Sequence, residues 1–413
     1  MIQQIRYIIK KRETIYLWIL SLAVLSFCFS YAINSIMTFL LIGFFFLDTR
    51  ENLNRKIQIL RQNKLVYLYI LFFFVQIIGL AYSDNVSFGI KKTILLIPCL
   101  FLPGIVLSEK LSKPNYNHLF NIVKWGIVIV FISYLFIHLV LDQRNIRTFV
   151  YFTVQKRIGI SQFYLSFIFL FGIYECLRKI FSEKSNIVIN AFLFLFFMSL
   201  LALMGNRTIL GITGLFLLFY LLNEFSDKGL IIRLGIILIT ILSGIGLSQM
   251  DIVNRKMNVF VKTTDLDLEV IKTKNRFTIT KNTFEHRVLI NYLSSKEIFD
   301  SFPLGVGTGD YKDVMLERYK EIKFKAGIAN EYNLHNQYFS EFLKTGILGG
   351  ILFMIIIFNL LMEVKRSQKI YSYLAITFCI ACTVESYLDR QHGVFIFTLL
   401  LPFFIKYENY LNK

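Results

Sequence analysis

Cysteine is sparse in this chain: five in 413 residues, at Cys28, Cys99, Cys176, Cys379 and Cys382, all within apolar segments. The longest polar stretch contains none, which excludes a disulfide framework there. Cys379 and Cys382 form a C-x-x-C in the middle of a hydrophobic run with no second ligand pair, so they read as packing residues. Polar residues are too few for a soluble enzyme of this length, since 55% of the chain is hydrophobic. No cleavable leader is evident. Residues 1–12 are basic and an apolar run follows, but a second run starts a few residues later, the pattern of an uncleaved hairpin. The chain shows no internal repeat.

Phe and Tyr are plentiful (43 and 22), as suits a lipid-facing protein with aromatic belts. Twelve apolar runs are present, at residues 14–29, 33–47, 65–82, 93–107, 119–141, 158–177, 187–204, 209–222, 230–247, 342–362, 371–387 and 394–407. They predict an all-α polytopic membrane protein of about 12 transmembrane helices. Nine would occupy residues 1–249, a long helical extracytoplasmic loop 250–341, and three more 342–413. Several runs are shorter than the ~17–25 residues of a full crossing, which implies tilted or broken helices.

The net charge of +18 raises the question of nucleic acid, but the cations sit in short gaps between apolar runs rather than on soluble helices. Arg6, Lys10, Lys11 and Arg12 precede the first run. Arg50, Arg55, Lys56, Arg61 and Lys64 fill the second gap, and later even-numbered gaps are also basic. With both termini inside, all of these are cytoplasmic and the odd-numbered gaps face out. The cations set orientation; no nucleic acid is implied.

Some cations break this rule. Lys91, Lys92, Arg144, Arg147, Lys156 and Arg157 fall in outer gaps, and Arg207 stands in the tight outer turn "LMGNRTILG". An anionic ligand explains Arg207 best, because guanidinium groups grip phosphates in a forked geometry. For Arg144, Arg147 and Arg157 two readings stand side by side: a ligand, or lipid headgroups and local carboxylates.

The long loop alternates apolar and polar residues. Residues 282–299 carry helical spacing, ended by Pro303 and Gly305, and Asp310 is placed to cap a helix over 311–323. Gly305, Gly307 and Gly309 read either as a tight turn or as an anion-binding nest. Asp265-Leu266-Asp267 is a D-x-D, a weak metal signal in an acid-rich loop. The first outer gaps hold few carboxylates besides Asp84 and Asp142, which argues against a metal-dependent oligosaccharyl transferase plan. Neither a metal nor a cofactor is expected.

At the end of the loop stands "EYNLHNQYFSEFLKTGILGG", residues 331–350. His335 can accept a proton near neutral pH. Tyr338 shares its helical face, and Asn336 is positioned to orient the ring or a sugar, or to cap the helix. Gly346, Gly349 and Gly350 have the small-residue spacing that lets a neighbouring backbone approach. Near the end, Glu385 and Arg390 are expected to pair with each other, with Arg390 alternatively contacting substrate. His118 and His138 read as packing residues. His286 neighbours Arg287 but points about 100° away from it, a poor second base.

The H-N-x9-G-x-x-G pattern ahead of a late membrane helix resembles the signature of the O-antigen ligase and O-antigen polymerase family. "GNRTILG", "EHRVLINYLSSKEIFDSFPLGVGTGDY" and "VESYLDRQHGVFIF" resemble further pieces of it in order, from about Arg207 to the carboxyl terminus. The resemblance implies a bacterial inner-membrane glycosyltransferase that takes glycan from an undecaprenyl-diphosphate donor without a nucleotide sugar or metal. It implies an acceptor glycan or lipid A core, and a cavity open to the outer leaflet. His335 matches the family's essential histidine, Arg207 the arginine of the outer turn, and Arg287 that of the loop helix. Arg207 and Arg287 would neutralise the leaving diphosphate, and His335 would receive the acceptor proton, with inversion at the anomeric carbon. The rival reading is a transporter or flippase of lipid-linked oligosaccharide, whose repeated halves are missing from this sequence.

Overall fold

The computed structural model of the chain describes residues 11–226, 264–275, 283–367 and 372–411, with six isolated positions between 229 and 262. Among the described residues every regular element is helical. The first ten α-helices are α1 (Arg12–Ser26), α2 (Tyr31–Phe46), α3 (Arg50–Gln62), α4 (Lys64–Ala81), α5 (Val86–Leu95), α6 (Pro98–Ser108), α7 (Lys113–Phe136), α8 (Gln162–Leu177), α9 (Ile187–Met204) and α10 (Arg207–Glu224). After these come α11 (Leu268–Thr273), α12 (Thr283–Asp300), α13 (Tyr311–Glu321) and α14 (Lys325–Asn330). The chain ends with α15 (Gln337–Ser367), α16 (Ser372–Ala381), α17 (Gln391–Phe395) and α18 (Leu401–Leu411).

Eleven of the twelve apolar runs are thus helical, and the run at 230–247 falls outside the described residues apart from isolated positions. Among the described residues six helices are long and apolar enough to cross a bilayer, or up to eight if two bent pairs each count as one span. The other apolar runs within the described residues make shorter or bent helices, so the expected twelve crossings are not all seen there. At one bend α3 leaves α2 at 111°. Asp48 sits in the corner, ion-paired to Arg12 (3.0 Å) and Lys56 (2.7 Å), and Thr49 caps α3 through the Asn52 amide.

Contacts sort the gaps between runs by parity. At one end of the bundle Arg12, Asp48, Lys56 and Glu109 form a buried ionic cluster, and Lys406 donates to the carbonyls of Val106 and Glu109. These residues come from the amino terminus, the second and fourth gaps, and the final helix. At the other end, Asp310 accepts from the amides of Asp84 and Asn85, and Gln391 donates to the Tyr31 carbonyl, Asn34 and Ser35. Those residues belong to odd-numbered gaps or to their edges. Hydrogen-bonding groups gather at the two ends because the apolar middle offers them no partners.

Two cores hold the molecule. The large one packs α1, α2, α4 and α6–α9 against α15–α18, with Phe120 stacked on Phe171 at 5.2 Å and the Tyr69 hydroxyl on the Phe397 carbonyl at 2.7 Å. A smaller one joins α11–α14 to the start of α15 through Ile271, Leu289, Leu293, Met315, Tyr319 and Leu343. Asp310 precedes α13, but its carboxylate makes no cap there; it is spent on the amides before α5.

The long helix α15 is broken at Thr345 and Gly346, and the break is filled by another part of the chain. The Ile347 amide donates to the Pro303 carbonyl (2.9 Å) in place of its own helix partner. The freed carbonyls of Leu343 and Lys344 accept from the amides of Val306 (2.8 Å) and Gly307 (3.0 Å). Thr308 then bonds the Gly79 carbonyl, and the Gly309 amide the Ser83 hydroxyl, on the α4 side. The turn at 303–309 therefore completes two helices at once, pairing the Leu343 and Lys344 carbonyls and the Ile347 amide at the break. The glycine run of 305–309 is thus a tight turn whose amides are engaged, and Gly346 admits that turn rather than a neighbouring helix.

Candidate functional site

His335 lies in the short link between α14 and α15, on backbone at φ +49°, a left-handed conformation uncommon outside glycine. Its position is fixed by the first turn of α15. The Asn336 side chain accepts from the Phe339 amide (3.2 Å) and so caps that helix. The Gln337 amide donates to the Cys382 carbonyl (2.8 Å), and its side-chain oxygen accepts from the Leu388 amide (2.7 Å). Ser340 and Ser386 bond each other at 3.0 Å. The turn at 382–390 is thereby stitched to the first turn of α15. Replacing Asn336 by Ala should cost about 1 kcal/mol of stability through the lost cap; a melting curve of the purified variant measures it, and no change would contradict the capping role.

That stitching puts Glu385 beside the imidazole. His335 Nδ1 is 3.2 Å from Glu385 Oε2, and the Arg287 guanidinium is 3.7 Å from the same oxygen. A carboxylate can only accept, so Nδ1 is the donor and the lone pair falls on Nε2. Glu385 and Arg390 were expected to pair with each other. Instead, Glu385 faces His335 and Arg287, because the 3-10 turn Tyr387–Asp389 separates it from Arg390. The sequence signal for Glu385 was the cluster of charges ahead of the last helix; its partner, some 50 residues earlier, was not legible.

His286 completes the group. Its ring stacks on Tyr332 (4.7 Å, 22°) and lies 5.4 Å from that of His335, so the structure brings it next to the site despite its angle from Arg287. Burial, then the nearby His335 and Arg287, lowers its pKa to about 3, and it is neutral at pH 7. Nδ1 of His286 and Nε of Arg287 are buried without a hydrogen-bond partner among the described residues. Unfolded, His286 would titrate near its ordinary 6.5. The unfolded chain therefore binds this proton first as pH falls. Stability from the neutral ring is full above about pH 6.5 and is lost as pH drops towards 3, roughly 1–2 kcal/mol by pH 5. Melting the protein between pH 7.5 and 5 should show this loss, and His286→Phe should flatten it.

Behind Glu385 lies a buried ionic network. Asp389 accepts from the Tyr311 hydroxyl (3.0 Å) and Lys344 (3.1 Å), with Lys92 at 3.6 Å. Burial alone would raise the Asp389 carboxyl, but Lys344, Lys92 and the Tyr311 hydrogen bond hold it far below the usual range. Glu341 accepts from Gln76 (2.7 Å) and Gln337, with Lys344 at 3.4 Å. Two carboxylates thus face two ammonium groups, which answers for Lys92 among the cations of the outer gaps.

A cavity of about 700 Å³ opens in front of His335. Tyr31, Gln155, Ser161, Phe163 and Tyr164 line it together with Asn330 to Asn333, Glu385 and Arg390. Aromatic faces alternating with amide and hydroxyl groups suit sugar rings. Of the other residues singled out from sequence, Arg287 touches the site through Glu385 without lining the cavity. Tyr338 turns away and donates to the Cys379 carbonyl (3.0 Å). Arg157 pairs with Asp142 (3.0 Å), and Arg144 lies over the Phe152 ring (4.0 Å); Arg147 is exposed near them. His138 is spent on Thr153 and Asn145. The carboxylates of Asp265 and Asp267 accept backbone amides at the start of α11.

Arg207 is exposed at the first turn of α10 and does not line the cavity. Tyr220, near the other end of α10, packs on Phe181, close to the Arg178–Glu183 ion pair of the sixth gap. An 18-residue helix is about 27 Å long. Arg207 therefore belongs to the end of the bundle that carries His335.

The fold and this site define a multi-pass α-helical membrane protein with a polar, aromatic-lined cavity at one end of its bundle. Residues 188–354 match the O-antigen ligase family, and this match supports placing the chain among the O-antigen ligases and polymerases, as its histidine motif indicated. Arg207, Arg287 and His335 fall within the matched residues, and Glu385 and Arg390 beyond them. No curated protein matches the chain.

Proposed function

We propose that the chain is a glycosyltransferase of the ligase or polymerase type that moves glycan from an undecaprenyl-diphosphate donor to an acceptor hydroxyl. The observation that carries this reading is the pairing of His335 Nδ1 with Glu385 in the lining of the cavity, which leaves Nε2 as a base. The acceptor oxygen attacks the anomeric carbon and gives its proton to Nε2. The bond from that carbon to the phosphate oxygen breaks, and its electron pair leaves with the lipid diphosphate. Attack opposite the leaving group inverts the configuration. Arg207 and Arg287 neutralise the charge that builds on the diphosphate, and no metal is required. Arg287 also pairs with Glu385, and Glu385 keeps the imidazole in the tautomer that accepts.

The site end of the bundle then faces the periplasm of the inner membrane, with the basic cluster around Arg12 and Lys56 in the cytoplasm. In this reading residues 250–341 form the extracytoplasmic loop, whose described helices α11–α14 pack on the start of α15, and residues 1–249 and 342–413 carry the membrane spans. Glycan profiling of a deletion strain tests the function. Loss of long chains from lipid A core with accumulation of lipid-linked polymer indicates a ligase, and capping by single repeats a polymerase. An unchanged profile would refute both.

A further inference from the structure

We propose that Arg390 binds the diphosphate of the lipid-linked donor, as a third guanidinium in addition to Arg207 and Arg287. This rests on the glycosyltransferase reading and adds a residue to its donor site. Of those three arginines, Arg390 alone lines the cavity that holds His335. Three cations line it: Lys92, Lys312 and Arg390. Lys92 stands 3.6 Å from Asp389, and Lys312 is paired with Glu331 at 2.8 Å. Arg390 has no carboxylate within ion-pair distance among the described residues. The nearest acids in its own turn are engaged elsewhere, Asp389 by Lys344, Lys92 and Tyr311, and Glu385 by His335 and Arg287. A guanidinium is thus left facing the cavity without a counter-charge.

Its height in the bundle selects the anion. Arg390 is the residue before α17, which starts the last apolar stretch, Gln391–Tyr407. The next residue, Gln391, is clamped to Tyr31, Asn34 and Ser35 in the first turns of α2, another apolar helix. Arg390 therefore stands where two apolar helices begin, at the membrane boundary. A donor whose lipid tail is held in the bilayer must place its phosphates at that level, whereas acceptor sugars arrive from the aqueous side. A forked donor set matches two phosphate oxygens. As the bond to the anomeric carbon breaks, the rising charge on the phosphate oxygen strengthens these hydrogen bonds, so Arg390 favours the departing form.

The full-length protein in proteoliposomes provides the test, with Arg390→Gln, Arg390→Lys and His335→Ala beside the wild type. Arg390 is exposed, and equal melting temperatures confirm that the variants fold. Arg390→Gln is expected to raise KM for undecaprenyl-diphosphate-linked glycan about tenfold or more with acceptor KM unchanged, and Arg390→Lys to fall between. Calorimetry with inorganic pyrophosphate should show the same order of affinity without turnover. A rise in acceptor KM alone, or equal pyrophosphate affinity in wild type and Arg390→Gln, overturns the assignment. If the wild type transfers no glycan, or His335→Ala transfers it equally well, the glycosyltransferase reading fails, and the pyrophosphate titration still decides the role of Arg390.

Discussion

Replacing His335 by alanine is expected to reduce glycan transfer by about 10²- to 10⁴-fold, the usual span for loss of a general base. The reason lies in how the ring is held. Nδ1 is engaged by Glu385 and the ring lines the cavity, so His335 supplies the proton acceptor and Glu385 its orientation. Within the described residues His286 is the nearest substitute, and its pKa of about 3 makes it a weak base, buried behind Tyr332. Stability should change little. The ring is partly exposed, and Glu385 retains Arg287 as its counter-charge when the imidazole is gone. Transfer is measured with purified protein, lipid-linked donor and acceptor, and folding by melting of the same preparation. Activity within a few-fold of wild type in a folded His335→Ala protein would remove the imidazole from the mechanism.

Replacing Gly346 by alanine is expected to have the largest effect on stability, several kcal/mol and enough to prevent the folded state from accumulating. Two independent penalties act there. At φ +59° and ψ −148° the residue occupies a region open essentially to glycine alone. An added Cβ would also stand 1.9 Å from the Pro303 carbonyl oxygen, inside the hydrogen bond that receives the Ile347 amide. Neither the Pro303 carbonyl oxygen nor the Leu304 carbonyl carbon, 2.5 Å from that Cβ, can retreat, because both are backbone atoms of the turn at 303–309. Undocking that turn strands the Leu343 and Lys344 carbonyls, and each unmet buried group costs roughly 1–3 kcal/mol. Gly43→Ala is the control, since a Cβ there meets nothing within 4 Å. Detergent-solubilised yield and protease sensitivity between α12 and α13 report the difference. A Gly346→Ala protein that melts like Gly43→Ala would show that the break in α15 is not needed.

Helix positions were largely legible. Apolar runs at 187–204 and 65–82 became Ile187–Met204 and Lys64–Ala81, because long hydrophobic stretches have few alternatives to a helix in lipid. The number of crossings was less so. A run of 15 or so residues reads alike whether it spans, tilts or bends, and the bend between α2 and α3 depends on Arg12 and Lys56 meeting Asp48. At the site, His335 announced itself by its motif, whereas Glu385 could be assigned a partner only after folding. The same holds for Lys92, conspicuous in sequence as a cation on the wrong side and silent about Asp389.

Residue order alone determined the helical character, the alternation of basic and weakly charged gaps, and the histidine-bearing motif, since each depends on neighbours a few positions apart. Folding decided the rest. It placed a turn rich in glycine inside a broken helix, paired His335 with a carboxylate from the far end of the chain, and left Arg390 facing the cavity without a counter-charge. Those outcomes depend on which buried polar groups find partners, and in an apolar bundle the partners come from whichever segments the packing brings within hydrogen-bond distance.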